Sequence, residues 1–158
     1  MNSKIIKQRD LKAIVKRHKK AGKKIVFTNG CFDVIHAGHV DYLEKAKKYG
    51  DILIVALNTD SSVKKIKGKT RPIVSENDRA KVVAGLGCVD YVTFFNETTP
   101  FEIIKNLIPD ILIKGADYKS HEIVGNDIVR NYGGKVIRIK LLKGRSTTEI
   151  IKKIKSAE

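Results

Sequence analysis

The sequence predicts an α/β protein built on a doubly wound sheet of about five parallel strands flanked by helices. Three observations carry this reading. Short β-rich apolar runs at 24–28, 52–57, 91–95, 111–114 and 136–142 alternate with segments of helical apolar spacing. The run at 52–57 is apolar at every position, as a central parallel strand covered on both faces must be. The first run feeds a turn containing Gly30, Cys31, Phe32, Asp33, His36, Gly38 and His39, which opens a helical pattern at the point where α/β sheets hold phosphates. A length of 158 residues suits one domain over 1–158, with a basic N-terminal helix in 1–23 and the main fold in 24–158.

The elements follow in order. Leu11, Ile14, Val15 and His18 recur at helical spacing, with Asp10 placed to cap that helix and Gly22 to stop it. After the strand at 24–28 and the histidine turn, Val40, Leu43 and Ala46 mark a second helix closed by Gly50. The strand at 52–57 ends in Asn58-Thr59-Asp60, and a short helix through Val63 leads into Ile66-Lys67-Gly68-Lys69-Thr70-Arg71-Pro72, a mobile basic loop. Ser75 and Asp78 have the spacing of a capping box, starting a helix that carries Arg79, Val82 and Val83. Thr99-Pro100 supplies the cap and first-turn proline of a helix ending near Leu107. The strand at 111–114 runs into the polar loop Gly115-Ala116-Asp117-Tyr118-Lys119, and helical spacing around Ile128 and Val129 stops at Gly133-Gly134. Beyond the strand at 136–142, Ser146 and Glu149 box a last helix whose apolar stripe, Ile150, Ile151 and Ile154, belongs to the core. Right-handed crossovers then give a Rossmann-like sheet, in which ligands sit beyond the carboxyl ends of the strands. The histidine turn, Asn58, the Lys67 loop, the 115–119 loop and the 146–148 helix start all fall at that edge.

The charge is +15, from 32 Lys and Arg against 17 Asp and Glu, and ten of the cations lie in residues 1–24 against Asp10 alone. Few aromatics interleave with them, which favours a solvated basic face over a nucleic-acid-binding module and sets no nucleic acid as partner. On this reading residues 1–20 can be removed without loss of turnover. No apolar run reaches the roughly 20 residues of a membrane span, and no signal peptide is present, so the chain is expected in the cytoplasm, away from the membrane. Cys31 and Cys88 are too few for a disulfide framework or a zinc site, so no protein-bound metal is expected.

His36 and His39 lie three apart, on one face of a helix start, and Gly30 and Gly38 remove side chains where a phosphate needs backbone N–H groups. With Lys67 and a hydroxyl-bearing helix start at Ser146, Thr147 and Thr148, they form a set of donors suited to a polyphosphate attacked at its α-phosphorus. No nucleophile stands beside a base, and Cys31 lacks an activating partner. Direct in-line transfer from a nucleotide to a bound phosphate is therefore preferred over a covalent intermediate. Ser146 and Thr147 as plain helix caps, Arg79 as a surface ion-pair residue and Asp117 as a turn former are the structural alternatives.

The turn Thr28-Asn29-Gly30-Cys31-Phe32-Asp33 with His36-Ala37-Gly38-His39, the Lys67-Gly68 loop, Arg79, Lys114-Gly115-Ala116-Asp117-Tyr118 and Arg145-Ser146-Thr147-Thr148 resemble the cytidylyltransferase-like nucleotidyltransferase superfamily. Within it the similarity is greatest to the adenylyltransferase domain acting on heptose 1-phosphate in lipopolysaccharide biosynthesis. The resemblance implies ATP and a sugar 1-phosphate as substrates, ADP-heptose and pyrophosphate as products, and Mg²⁺ carried by the nucleotide phosphates. It implies His36 and His39 at the α-phosphate and leaving pyrophosphate, and Lys67 reaching the phosphates, with Lys69 and Arg71 as neighbouring candidates. Thr28, Asn29, Gly30, Phe32, Asp33, Gly38 and Arg79 would serve the nucleotide, as would Lys114, Gly115 and Asp117, with Ser146, Thr147 and Thr148 around the β,γ-phosphates. A separate sugar kinase would supply the acceptor, and the N-terminal helix would cover the sheet or mediate a homodimer. The same turn also serves glycerol 3-phosphate with CTP and FMN with ATP.

Overall fold

Pleating sorts each apolar run onto two faces, and each face finds its own helices. A computed structural model of the chain describes residues 3–157. Strands β1 (Ile25–Gly30), β2 (Ile52–Asn58), β3 (Tyr91–Phe95), β4 (Ile111–Gly115) and β5 (Lys135–Ile139) form one parallel sheet in the order β3-β2-β1-β4-β5. Val26, Leu53, Val55, Leu57 and Val92 point to one side, where Leu43 and Ala46 of α2 (Ala37–Lys47) and Ala80 and Val83 of α4 (Glu76–Gly85) cover them. Ile25, Phe27, Ile54, Ala56 and Leu112 point to the other. Leu11 and Val15 of α1 (Gln8–Lys20), Ile103 and Ile104 of α5 (Phe101–Leu107) and Val129 of α6 (Asn126–Asn131) pack there. Each buried Val, Leu, Ile or Phe side chain among them contributes roughly 1.5–3 kcal/mol, so both layers are needed to hold the sheet. Helices α3 (Asp60–Lys67) and α7 (Thr147–Lys155) and a 3₁₀ turn (Ser120–Glu122) complete the chain. None of the helices among the described residues is long and apolar enough to cross a membrane.

The chain runs outward from β1 through β2 to β3, then returns to lay β4 on the other side of β1. Strand order therefore reverses between β1 and β4, which opens a crevice at their carboxyl ends. Asn29 and Lys114 face each other across it, the Lys114 ammonium donating to Asn29 Oδ1 at 2.5 Å.

Several boundaries differ from the sequence expectation. Asn29 and Gly30 are strand residues, because β2 pairs with β1 as far as Gly30. Asp10 lies inside the first turn of α1, and the N-cap is Lys7, without a side-chain bond. Lys67 is the last residue of α3, so it stands on a helix rather than on a mobile loop. Pro100, not Thr99, occupies the N-cap of α5. β5 stops at Ile139, which leaves Leu141 and Leu142 exposed. The stripe of α7 is not core either: none of its residues is buried, and Ile154 is 64% exposed. The N-terminal segment is integral, with Leu11 fully buried. Ahead of α1, Ile6 N–H donates to Val92 O and Val92 N–H to Lys4 O, both at 2.8 Å, closing the outer edge of β3. Removing residues 1–20 would take Leu11 and Val15 off a face that α5 and α6 also cover, so the segment is part of the fold and not a detachable appendage.

Candidate active site

The site begins where β1 ends. The chain turns through Phe32 in a left-handed conformation, φ +47°, a region that costs a bulky residue on the order of 1–3 kcal/mol. Two buried clamps hold the turn in place. The guanidinium of Arg79, fully buried, donates to Cys31 O at 2.5 Å, Asn58 O at 2.9 Å and Val74 O at 3.0 Å, and pairs with Asp60 at 2.8 Å. The Asp33 carboxylate accepts from Ile73 N–H and Val74 N–H at 2.8 and 2.9 Å and from Arg71 Nε at 2.6 Å. Burial works against this carboxylate, but those N–H donors and Arg71 outweigh it and hold its pKa below the usual value.

The two histidines cap α2 for one another's benefit. His36 is the N-cap, its Nδ1 accepting from Gly38 N–H at 3.1 Å, while His39 Nδ1 accepts from His36 N–H at 3.4 Å. A nitrogen that accepts cannot carry the proton, so the proton of each neutral ring sits on Nε2. Neutrality follows from the surroundings. Burial, then the neighbouring charges of His36 and Lys67, pulls His39 down to about 4, and burial with Arg145 nearby lowers His36 as well. The ring centroids are 3.9 Å apart, and Phe32 lies 5.1 Å from His39 on its other side. Gly38 is required between them: a Cβ there would stand 2.9 Å from the His36 ring and 3.1 Å from Arg145 Cβ.

The start of α7 closes the other side. Ser146 caps it, accepting from Glu149 N–H at 3.1 Å, and Thr147 Oγ1 donates to Val34 O at 3.2 Å, tying the helix start to the histidine turn. Lys114 is buried at the crevice floor. Burial lowers its ammonium to about 8 despite the opposing pull of Asp117.

One cavity of about 630 Å³ joins these parts, within the size range of small-molecule sites. It is lined by Asn29, Gly30, Phe32, Asp33, His36, Gly38, His39, Lys67, Lys114, Gly115, Asp117, Ser146, Thr147 and Thr148. Thr28 and Arg79 are not on it. Thr28 is fully buried, its hydroxyl bonded to Tyr42 Oη at 2.9 Å and donating to Ile113 O at 3.1 Å. Arg79 stands behind the wall as the clamp described above. Asp33 reaches the cavity, but its carboxylate is engaged by three donors. Of the three loop cations, Lys67 lines the cavity and holds no ion pair among the described residues. Arg71 lines it while bound to Asp33, and Lys69 is outside it. Asn58, Ile66 and Arg71 belong to loops already expected at this edge, whereas sequence reasoning missed Tyr42, Thr98, Thr99, Pro100, the Glu122–Val124 rim, Leu141 and Leu142. The Thr-Pro pair resembled a helix start, and nothing in 122–124 signals a site until the fold brings it there.

The arrangement offers hydrogen-bond donors and positive charge, with the carboxylates Asp117 and Glu122 also on the lining and Asp117 acting on Lys114. Burial raises the Cys31 thiol, which leaves it protonated and a poor nucleophile. Among the described residues no group of three or more His, Cys, Asp or Glu could hold a metal ion.

The cytidylyltransferase-like family model matches residues 27–153, from the middle of β1 into α7. The chain belongs to the cytidylyltransferase-like family. Membership brings the class of chemistry, nucleotidyl transfer, and leaves nucleotide and acceptor to be argued. Over 153 residues, 97% of its length, the chain is 50% identical to the bifunctional protein HldE of Syntrophotalea carbinolica. Over 136 residues it is 57% identical to that of Campylobacter curvus. It spans only 31% and 28% of those relatives. Among solved structures it resembles the lipopolysaccharide core biosynthesis protein from Thermoplasma volcanium, with 31% identity, TM-score 0.66, and 77% of this chain against all of that one. Pantoate-beta-alanine ligase from Francisella tularensis shares the fold at 17% identity, TM-score 0.62, over 96% of this chain and 76% of its own.

Proposed function

We propose that the chain transfers the adenylyl group of ATP to a sugar 1-phosphate, D-glycero-β-D-manno-heptose 1-phosphate, forming ADP-heptose and releasing pyrophosphate. The observation that carries it is the convergence of two Nε2–H imidazoles, the α7 start and Lys67 on one cavity that contains no activated nucleophile. The acceptor is supported by the HldE relatives and by the structural neighbour named for lipopolysaccharide core biosynthesis.

The phosphate of the sugar attacks the α-phosphorus in line, one P–O bond forming as the bond to the pyrophosphate oxygen breaks. Negative charge grows on the leaving oxygen and on the equatorial oxygens. Neutral imidazole N–H groups answer that charge without bringing a proton that must first be lost, and Lys67 adds a full positive charge. Ser146, Thr147 and Thr148 present the start of α7 to the distal phosphates. The donor set fits a metal that arrives with the nucleotide rather than a resident one. Mg²⁺ so carried would neutralise phosphate charge. In this reading the sugar 1-phosphate comes from a separate sugar kinase and the reaction takes place in the cytoplasm, where ATP is supplied.

A pyrophosphate-release panel tests the assignment, pairing ATP and CTP with heptose 1-phosphate, glycerol 3-phosphate and FMN. Release with ATP and heptose 1-phosphate should exceed every other pairing. A preference for CTP with glycerol 3-phosphate, or for FMN with ATP, would replace the acceptor while leaving the transfer chemistry in place.

A further inference from the structure

The edge of the sheet opposite the active site carries a second cavity, of about 600 Å³, at the amino ends of β1, β4 and β5. The catalytic edge lies roughly 17 Å away, five strand rises of about 3.3 Å each. Its walls bring together Lys19 at the end of α1, Lys23 and Lys24 in the following turn, Lys135 at the start of β5, Tyr49 after α2, and Ile137. Lys19 is committed, donating to Ile108 O and pairing with Asp110 at 3.5 Å, while Asp110 also accepts from Ile25 N–H. Asp110, the one carboxylate on the lining among the described residues, is thereby neutralised. Lys23, Lys24 and Lys135 are exposed and, among the described residues, hold no ion pair. Three ammonium groups from two segments thus share one concavity; the Asp51 carboxylate, which accepts from Lys24 N–H at 2.7 Å and is held below its usual pKa first by that bond and then by Lys23 and Lys24, offsets part of their charge and leaves the concavity net positive.

The aromatic content defines the anion further. Tyr49 is 44% exposed on the lining, and Tyr132, 71% exposed, immediately precedes Gly133, which also lines the cavity. An exposed ring beside converging cations is the combination that holds a base by stacking and its phosphates by charge. We propose that this cavity is a second binding site, specific for nucleoside phosphates and separate from the catalytic one. It also accounts for basic residues around the end of α1 that the transfer reaction does not use. The ligand is either a free nucleotide or a nucleotide within a single strand, and both present the same groups.

The test is calorimetric titration of the full chain with ATP, with a uridine decanucleotide and with inorganic phosphate, repeated on the double variant K23E/K135E. Two binding events are expected for ATP. The one absent from the catalytic edge should weaken at least tenfold in the double variant, with turnover unchanged. Backbone amides of Gly22, Gly133 and Ile137 should shift on titration of the unmodified protein. Tighter binding of the decanucleotide than of ATP, lost in the same variant, identifies a strand as the source. A single ATP event with those amides unmoved overturns the site. Equal binding of inorganic phosphate and ATP overturns its specificity for a nucleoside.

Discussion

At the residue scale, the backbone fixes the chemistry of the histidine pair. Because each Nδ1 is spent on a backbone N–H of the α2 cap, each neutral ring has its remaining N–H on Nε2. His39→Ala removes one such donor and should lower kcat by about 10² or more, the usual cost of deleting one transition-state donor. Steady-state kinetics with ATP and sugar phosphate measure it, and near-normal turnover would remove His39 from the mechanism. The fold also tunes Lys114. Held at about 8, it is charged below that pH and neutral above, so kcat/KM for ATP should fall as pH rises through about 8. Lys114→Arg, which keeps its charge, should abolish that limb of the pH profile. His39, also lowered by burial, shows its effect in stability. Between pH 6.5 and about 4 the unfolded chain takes up a proton that the folded ring refuses, so stability should drop as pH falls through that window. Denaturant midpoints at pH 7 and pH 5 compare the two, and His39→Gln should flatten the difference. The sequence displays these residue types and their spacing, but not which nitrogen faces inward. That depends on cap geometry set by the turn.

At the element scale, motif membership and contact with the cavity part company at Thr28 and Arg79. Thr28 sits on the strand with its hydroxyl turned into the protein. Arg79 was legible as a motif residue and as an ion-pair candidate, but not as a fully buried hub joining the ends of β1 and β2 to the segment before α4. Its partners lie 5, 19, 21 and 48 residues away, which no local pattern reveals. Arg79→Met would leave three carbonyls and the Asp60 carboxylate without their donor. Losing one partner of such a network costs about 3–5 kcal/mol. Urea unfolding should register that loss, and a change below about 1 kcal/mol would show that the clamp is dispensable. The boundary errors share a cause. Apolar spacing shows where an element can continue, whereas pairing decides where it stops, so β1 runs longer and β5 shorter than the apolar runs suggest.

At the scale of the whole molecule, alternating strands and helices made the parallel sheet and its loaded edge legible. The crevice between β1 and β4 depended on a strand order that spacing alone does not give. The large positive charge is likewise a property of the whole chain. Part of it reaches the cavity as Lys67, Arg71, Lys114 and Arg145, while much of it decorates α1 and the opposite edge. Charges that far from the phosphates cannot stabilise a transition state through contact, but their summed field draws a polyanion toward the protein. Their effect should therefore appear in capture of ATP rather than in the transfer step. Raising salt from 0.1 M to 1 M shortens the screening length from about 10 to about 3 Å. The expected result is a steep fall in kcat/KM for ATP with kcat little changed at saturating nucleotide. Initial rates across a salt series separate the two quantities. Should kcat fall in proportion instead, the remote charges would be acting on the chemistry itself, and the donors around His36, His39 and Lys67 would no longer suffice to explain catalysis.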